Sequence, residues 1–377
     1  MKDNNSLVAI TRTKALYTTN TCIRGERYPQ YVNFIPSFLD GIKFGYRYTC
    51  ENMYNELFDL EEVSFFNELA LKEGRNAIIV ASGTSEWAGS GRLMSHVEPD
   101  YNIKTPFFML INILSGKIAN KLGWHDYLTT DATACVSGYK AFFEAELLIK
   151  NNIVDRVLVI GIDDQVNTLV LELFGMLNAS LSERDEKSGL KPSSFDSQNH
   201  SFRLGHGVGY VLIENERSIK VSNNTPIAYL NKTVLGMEKF ENPFGQSKNG
   251  DGYKKVINEV LKSSGILKSD ISFIKTHGTG SKSNSISEGN AIRDCFGKEF
   301  IATSYKPEIG HTLGSNAIVE LDIALKDAKS GFVRGIKNRT ELDHNFLSYD
   351  KKMNIKNILL LGSGMGNVFA ASIVEIA

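Results

Sequence analysis

Short runs of aliphatic and β-branched residues recur along the chain, separated by longer stretches in which apolar residues follow helical spacing. Runs that are apolar throughout predict strands buried on both faces of a sheet. The predicted strands span residues 6–10, 76–81, 156–161, 209–213, 227–234, 271–276, 300–303, 358–361 and 368–375. Helical spacing predicts helices over 136–150, 252–264 and 313–328. Strands mixed with helices in this way indicate an α/β fold.

Polar segments divide this pattern. Residues 182–199 and 242–251 are rich in Gly, Asn and Ser and are predicted to be loops. The polar stretch 214–225 follows a predicted strand and is the candidate boundary between two halves, residues 1–218 and 219–377. No fixed-period repeat is visible, so the sequence alone does not reveal whether the halves are structural duplicates.

Composition narrows the function classes. The 377 residues carry 42 Lys plus Arg and 43 Asp plus Glu, a formal net charge of −1, which argues against a broadly basic nucleic-acid binder. No stretch of about 18 apolar residues is present, so no membrane span is predicted. The apolar run at 7–10 is too short for a secretory signal. Four cysteines without a CxxC pair (Cys22, Cys50, Cys135 and Cys295) are expected to be free thiols in the cytoplasm.

Cys135 has an unusual setting among these cysteines. It lies in the string Asp-Ala-Thr-Ala-Cys-Val-Ser-Gly (131–138), directly before a predicted helix. The positive end of the helix dipole and the free N–H groups of the first turn favour a thiolate, which is the nucleophilic form. The alternative is a small buried cysteine that packs beneath the helix.

Two histidines follow strand-like segments in the second half. His277 lies in Lys-Thr-His-Gly-Thr-Gly-Ser (275–281), and His311 lies five residues after Lys306 and next to a glycine. One thiol and two imidazoles suit covalent acyl transfer, with a nucleophile and two proton donors or acceptors. A zinc site is the competing use of these residue types, but no closely spaced ligand pair supports it, and no metal ion is expected.

Taken together, these strings resemble the β-ketoacyl-acyl carrier protein synthases (ketosynthases) of the thiolase superfamily, in the elongating group with a Cys-His-His triad. The resemblance runs from about Thr105 to the C-terminal end of the sequence. It rests on residues 105–123, 131–138, 193–196, 202–209, 277–281 with Glu288, 306–311 and Glu320. It implies a thiolase-like α/β fold in which two similar halves pack as a layered α-β-α-β-α core.

The resemblance also implies a mechanism and residue roles. Cys135 would hold an acyl group as a thioester, and His277 and His311 would stabilise the enolate formed when malonyl-acyl carrier protein loses carbon dioxide. Lys306 would organise the site, paired with Glu288. The remaining implied roles are Glu320 and Phe202 as supporting residues, the N–H of Ser363 as an oxyanion donor with that of Cys135, and Thr279, Ser281, Phe174 and Asn367 in substrate binding.

Three features depart from the family pattern. Ser363 stands where the family usually has a phenylalanine that gates the acyl pocket, which predicts a more open or differently gated tunnel suited to an unusual acyl chain. His206 stands where an acidic residue is usual. The first hundred residues match poorly, and these departures favour a specialised polyketide, aryl-polyene or fatty-acid-like pathway.

Other functions of the same fold predict different residues at single positions. A non-catalytic chain-length-factor-type subunit would lack the nucleophile that Cys135 supplies. A thiolase would carry a second cysteine near 361–367, and a priming synthase would usually have asparagine at the position of His311. The expected partners are an acyl carrier protein, whose phosphopantetheine carries the substrates, and either a second copy or a chain-length-factor-like subunit. No cofactor is expected.

Overall fold

The computed structural model describes residues 7–17, 50–83, 111–163, 174–175, 179–181, 185, 188–196, 201–239, 242, 245–340 and 345–377. Several predicted features lie outside the described residues, namely Ser6, Cys22, the side chain of Cys50, residues 105–110, and parts of both predicted loops (182–184, 186–187, 197–199 and 243–244).

Strands and helices are interspersed along the chain. The strands are β1 (Ala9–Tyr17), β2 (Asn76–Ala81), β3 (Tyr127–Asp131), β4 (Arg156–Asp163), β5 (Gly207–Glu214), β6 (Ala228–Met237), β7 (Ile271–Lys275), β8 (Ala302–Thr303), β9 (Phe332–Val333), β10 (Lys351–Lys352), β11 (Asn357–Gly364) and β12 (Val368–Ile376). The α-helices are α1 (Cys50–Leu57), α2 (Leu60–Ala70), α3 (Ile111–Leu122), α4 (Ser137–Lys150), α5 (Glu216–Ser222), α6 (Asp251–Ser264), α7 (Lys282–Phe296), α8 (Lys306–Ile309) and α9 (Asn316–Ser330). Three short 3₁₀ turns span Ala134–Val136, Lys268–Asp270 and Leu313–Ser315.

The two halves of the chain share one sheet topology. In the first half the strands lie in the order β3-β2-β4-β5-β1, and in the second half the order β8-β7-β11-β12-β6 repeats it strand for strand. Parallel and antiparallel pairings also agree between the halves. β1 and β6 pair at Ala9 with Tyr229 and Ile10 with Ala228, which joins the half-sheets edge to edge. The halves are therefore structural duplicates, although their sequences do not show it.

Side-chain alternation along the strands separates three hydrophobic cores. Ile79 of β2 faces a central core that also holds side chains of α4, α9 and both half-sheets. Its neighbours Ile78 and Val80 face an outer core under α1, α2 and α3. The outer face of the second half-sheet packs on α6 and α7. The layers therefore run α-β-α-β-α, as the resemblance implies.

Strand prediction succeeded where apolar residues are contiguous and failed elsewhere. The predicted strand 76–81 matches β2, and the other predicted strands that the structure describes overlap observed ones with shifted ends. β3 was missed because its sequence, Tyr-Leu-Thr-Thr-Asp, is half polar; among the described strands it lies at the end of the sheet and pairs with β2 alone. The polar stretch predicted as the boundary contains helix α5, so the division at 218/219 falls inside a helix and stays a prediction.

Equivalent turns precede the two central helices. Ala134 before α4 and Leu313 before α9 both adopt φ = 47°, the left-handed region that costs a non-glycine residue about 1–3 kcal/mol. The first turn follows β3 directly, and the second follows β8 after the short helix α8. The duplication places the two strained turns in contact with each other, and the chemistry-bearing residues lie on and around them.

Candidate active site

Cys135 lies in the first of these turns and is only 8% exposed. Its Sγ lies 3.1 Å from Nε2 of His311. Its backbone carbonyl accepts a hydrogen bond of 2.6 Å from Nδ2 of Asn316, the first residue of α9. The turn that carries the thiol is thus tied to the turn that carries His311.

The charge state of Cys135 differs from the sequence expectation. Burial raises the pKa of the thiol to about 12, and the nearby ammonium of Lys306 opposes this effect only in part. The position before a helix was expected to favour a thiolate, and that expectation was wrong. A buried charge loses its hydration, and this loss outweighs the favourable effects of Lys306 and of the backbone hydrogen bond to the thiol.

His311 is held in one tautomer by its backbone neighbours. Its Nδ1 accepts a hydrogen bond of 3.3 Å from the N–H of Leu313, so the ring proton lies on Nε2, which faces Cys135. The edge of the ring packs against Phe202, with ring centroids 5.0 Å apart, and Phe202 in turn packs against Phe174. His311 is therefore a hydrogen-bond donor in the direction of the thiol.

His277 follows the end of β7 and faces His311, with the ring centroids 5.5 Å apart. Its loop is fixed by Glu288 of α7, whose carboxylate accepts the backbone N–H of His277 at 2.6 Å and that of Gly278 at 2.9 Å. Burial raises the pKa of Glu288 to about 7, and these two hydrogen bonds oppose the shift. Glu288 therefore shapes the loop that presents His277.

The expected pairing of Lys306 with Glu288 is wrong. The ammonium of Lys306, which is wholly buried, lies 2.7 Å from Oε1 of Glu320 on α9. The other oxygen of Glu320 pairs with Lys275, the last residue of β7. Both carboxylates were candidates by residue type, but the backbone N–H groups around His277 already occupy Glu288.

Both histidines are neutral in this environment. Burial lowers the pKa of His277 and of His311 well below the ordinary value, and the ammoniums of Lys306 and Lys275 lower both further. A neutral imidazole with its proton on Nε2 can donate a hydrogen bond to a carbonyl oxygen or to an enolate. The two rings therefore suit stabilisation of an anion beside Cys135.

A cavity of about 390 Å³ opens over these groups. Its described lining includes Cys135, both histidines, the aromatic rings of Phe174 and Phe202, and a polar side with Thr279, Ser281, Asn284, Gln246 and Ser363. Asn367 does not belong to this lining. Its Nδ2 instead donates to the carbonyl of Gly245, and Gly245 does line the cavity. Lys306, Glu288 and Glu320 lie behind the lining. No group of His, Cys, Asp and Glu side chains in the described part of the chain is arranged to hold a metal ion.

The comparisons with known proteins agree with this geometry. Models of the beta-ketoacyl synthase N-terminal and C-terminal domains match residues 62–218 and 233–338. The chain belongs to the beta-ketoacyl synthase family. It is 24% identical over 257 residues to the 3-oxoacyl-[acyl-carrier-protein] synthase 2 of Rhizobium meliloti, a match that covers 64% of this chain and 60% of that relative. The chain spans 44% to 65% of the length of the first three curated relatives it matches.

Solved structures of the family share the fold. A structure described as a type II PKS acyl-carrier protein in complex with its ketosynthase bound to the hexaketide (AntDE:AntF) aligns with a TM-score of 0.78 at 17% identity, over 99% of each chain. The ishigamide ketosynthase/chain length factor aligns with a TM-score of 0.71 at 22% identity, over 80% of this chain and 76% of that one. At these identities the likeness concerns the fold alone.

The departures from the beta-ketoacyl synthase pattern have distinct surroundings. Oγ of Ser363, which the resemblance places at the position of a gating phenylalanine, accepts hydrogen bonds from the hydroxyl of Tyr253 at 2.8 Å and from Nε2 of Gln246 at 3.2 Å. Asn284 donates to the same Tyr253 hydroxyl at 2.7 Å. His206 is buried, and burial lowers its pKa to about 3, so it is neutral; nothing in the structure explains why it replaces an acidic residue.

Sequence reasoning missed several residues of this beta-ketoacyl synthase site. Lys275 is one, although it lies only two positions before His277 in the quoted string. Asp163 at the end of β4 is another: it accepts from the N–H of Gly83 at 2.9 Å and that of Ser315 at 3.1 Å, and so ties the first half to the turn before α9. Burial raises its pKa to about 7. The available signal was a charged residue at the end of an otherwise apolar strand.

Proposed function

We propose that the protein is a β-ketoacyl synthase that performs a decarboxylative Claisen condensation between malonyl-acyl carrier protein and an acyl group held on Cys135. One observation carries this proposal. A thiol, a neutral imidazole with its proton directed at that thiol, and a second imidazole meet at one cavity. Family membership supports the same reaction.

The first step is acyl transfer to the enzyme. Sγ of Cys135 attacks the thioester carbonyl of an acyl-carrier protein and forms a new thioester. The carrier leaves as a thiol and takes the proton that Cys135 gives up. Because the pKa of Cys135 is raised, the proton stays on sulfur until the attack begins, which protects the thiol from adventitious electrophiles.

The second step is decarboxylation and carbon–carbon bond formation. The Nε2–H groups of His277 and His311 donate to the thioester oxygen of malonyl-acyl carrier protein, so the electron pair left by departing carbon dioxide is stabilised as an enolate. Its carbon attacks the acyl carbonyl on Cys135. The oxyanion formed there would be held by the backbone N–H groups of Cys135 and Ser363, and the sulfur leaves and is reprotonated.

The oxyanion role of Ser363 is supported by how closely β11 approaches the thiol. A Cβ built on the next residue, Gly364, would lie 3.4 Å from the backbone nitrogen of Cys135. This is an ordinary van der Waals distance, so β11 packs directly against the turn that carries the thiol. We propose that this close approach is what allows two backbone N–H groups to converge on one oxygen.

The acyl substrate is proposed to come from a specialised polyketide, aryl-polyene or fatty-acid-like pathway. The side chain of Ser363 is held by Tyr253 and Gln246 and cannot close the pocket as a phenylalanine ring would. Of the solved structures with this fold, one is a type II PKS acyl-carrier protein in complex with its ketosynthase, and another is a ketosynthase/chain length factor. A pocket without a ring at position 363 suits a stiff or unsaturated chain.

The partners follow from this reaction. We propose that an acyl carrier protein delivers both substrates on its phosphopantetheine, that no further cofactor is required, and that the enzyme acts in the cytoplasm. In the described residues, no helix is both long enough and apolar enough to cross a membrane. The enzyme would act as a homodimer or as the catalytic half of a heterodimer with a chain-length-factor-type subunit.

The decisive experiment is acyl loading followed by intact-protein mass spectrometry. The protein is incubated with carrier proteins that bear saturated, polyene or aryl acyl groups. One acyl group is expected to add to the wild type and to the matched control Cys295→Ala, whereas Cys135→Ala should gain none. With malonyl-acyl carrier protein present, the loaded wild type should release 3-oxoacyl-carrier protein and carbon dioxide.

Two results would contradict the proposal. If Cys135 gains no acyl group from any carrier, alone or in the presence of a ketosynthase-like partner, the alternative of a non-catalytic chain-length-factor-type subunit is favoured. If Cys135 is loaded but His277→Ala and His311→Ala still condense at the wild-type rate, the proposed role of the histidines is wrong.

A further inference from the structure

Lys275 is a buried lysine that has no role in the reaction proposed above. It is fully buried at the end of β7. Its ammonium contacts three acceptors: the hydroxyl of Tyr139 at 2.9 Å, the carbonyl of Leu361 at 3.1 Å and a carboxylate oxygen of Glu320. Three acceptors match the three protons of an ammonium group, so the charged form is fully hydrogen-bonded.

The charges behind the histidines do not cancel within the ion-paired group. Lys275 and Lys306 share the single carboxylate of Glu320, one on each oxygen. Glu288 is a further buried carboxylate that accepts from the backbone N–H groups of His277 and Gly278; it interacts electrostatically with both lysines but forms no direct ion pair with either. The directly ion-paired group therefore consists of two ammoniums and one carboxylate, and the positive excess of this group is costly unless an anion forms nearby.

Lys275 also holds the strand that presents Ser363. The carbonyl of Leu361, two residues before Ser363 on β11, accepts from both Lys275 and the hydroxyl of Tyr139. Tyr139 lies on α4, the helix that begins just after Cys135. Lys275 therefore connects the helix of the thiol with the strand of the proposed oxyanion donor.

We propose that Lys275 is a positioning residue of this site, which supplies with Lys306 the positive field behind the two histidines and fixes the end of β11. This inference rests on the proposed function, because the anions that the field would stabilise are the enolate and the oxyanion of the condensation. Lys275 lies behind the cavity lining and does not touch substrate, so it acts through His277, His311 and Ser363.

The sign of the electrostatic field from Lys275 can be measured without substrate, through the pKa values of His277 and His311. A nearby positive charge opposes a second positive charge, so removal of Lys275 should raise the pKa of both imidazoles towards the ordinary value. The charged and titratable groups around the two rings are Lys275 on β7, Lys306 on α8, Glu320 on α9, Glu288 on α7, Asp163 at the end of β4 and Cys135 before α4.

The test is an NMR titration of histidine-labelled protein between pH 8 and pH 5. In the wild type, His277 and His311 should stay neutral throughout. In Lys275→Met, which keeps the length of the side chain but removes its charge, the resonances of at least one of them should begin to shift within this range. Lys326→Met is the matched control, because this lysine lies on the same helix as Glu320 but is 60% exposed.

Identical titrations of the wild type and Lys275→Met would overturn the inference. If Lys275→Met does not fold, Lys275→Gln takes its place, because an amide retains a donor for the Leu361 carbonyl without the charge. The wild type is informative by itself, since an ordinary titration of either histidine near pH 6.5 would also overturn the inference.

A kinetic readout applies once the condensation is established. In Lys275→Met, kcat should fall at least tenfold with little change in KM, and the acidic limb of the pH profile should move to higher pH. An increase in KM with an unchanged kcat would count against a positioning role. Absence of acyl loading in the wild type would contradict the proposed function but would leave the NMR result interpretable.

Discussion

At the scale of single residues, the site depends on which carboxylate neutralises which lysine. Glu288 and Glu320 are both buried glutamates on helices of the second half. Glu320 bridges Lys275 and Lys306, while Glu288 accepts two backbone N–H groups. The two glutamates therefore have different functions in the fold despite the same residue type and burial.

Glu320→Gln is expected to destabilise the protein strongly. It leaves two buried ammoniums without a carboxylate, and the loss of one partner from a buried ion pair costs about 3–5 kcal/mol. The free energy of unfolding, measured by urea denaturation, should fall by that amount, and activity should be lost as well.

The matched control for this change is Glu308→Gln. Glu308 pairs with Arg334 at 3.5 Å, and both side chains are partly exposed to solvent. Exposed pairs contribute about 0–1 kcal/mol, so the control should remain close to the wild type. Equal losses for the two variants would mean that Glu320 does not hold the lysines as described.

At the scale of elements, the site depends on close packing of α4 against α9. Gly138 in the first turn of α4 faces the start of α9. A Cβ at that position would lie 2.8 Å from the Cβ of Ala317 and 2.5 Å from Cδ1 of Ile318. The absence of a side chain allows the turns of Cys135 and His311 to approach within hydrogen-bond distance.

Gly138→Ala is expected to separate these two helices. Overpacking of this kind costs about 1–3 kcal/mol, which exceeds the gain in helix propensity. Urea denaturation should show the loss, and acyl loading of Cys135 should slow because His311 moves away from the thiol.

Gly116→Ala provides the opposite case within helix α3. Among the residues that the structure describes, a Cβ at this glycine would have no neighbouring atom within 4 Å. Alanine should therefore stabilise the protein by about 0.5–1 kcal/mol through helix propensity alone. A Gly138→Ala protein as stable as Gly116→Ala would show that the contact between α4 and α9 is not tight.

At the scale of the whole molecule, the two halves share one central core. α4 of the first half packs on β6 and β12 of the second, and α9 of the second half packs on β1, β4 and β5 of the first. The hydrophobic residues of both helices belong to a single cluster. Neither half can bury its inner face without the other.

Unfolding is therefore expected to be cooperative. Trp124 is buried in the outer core of the first half, so its fluorescence reports on that half, while far-ultraviolet circular dichroism reports on both. The two signals should change with the same midpoint in urea. A circular dichroism transition that continues after the fluorescence change is complete would mean that the second half is stable by itself.

Much of the fold and the identity of the candidate site were predictable from the sequence. The strands β2, β4, β5, β11 and β12 contain contiguous apolar runs, which are typical of strands buried on both faces of a sheet. Cys135, His277 and His311 lie in short strings beside strands and helices, and those strings resemble one family. Local composition suffices for these features because each depends on residues close together in the chain.

Only the tertiary structure decided the rest. The contacts of Lys275 with Tyr139 and of His311 with Cys135 join residues 136 and 176 positions apart, and no local pattern encodes them. The raised pKa of Cys135 depends on burial by the whole fold, which overrides the helix end that the sequence displays. The duplication of the two halves is visible in the order of their strands and not in their sequences. Many different apolar sequences satisfy the same layered packing, so the two halves need not resemble each other in sequence.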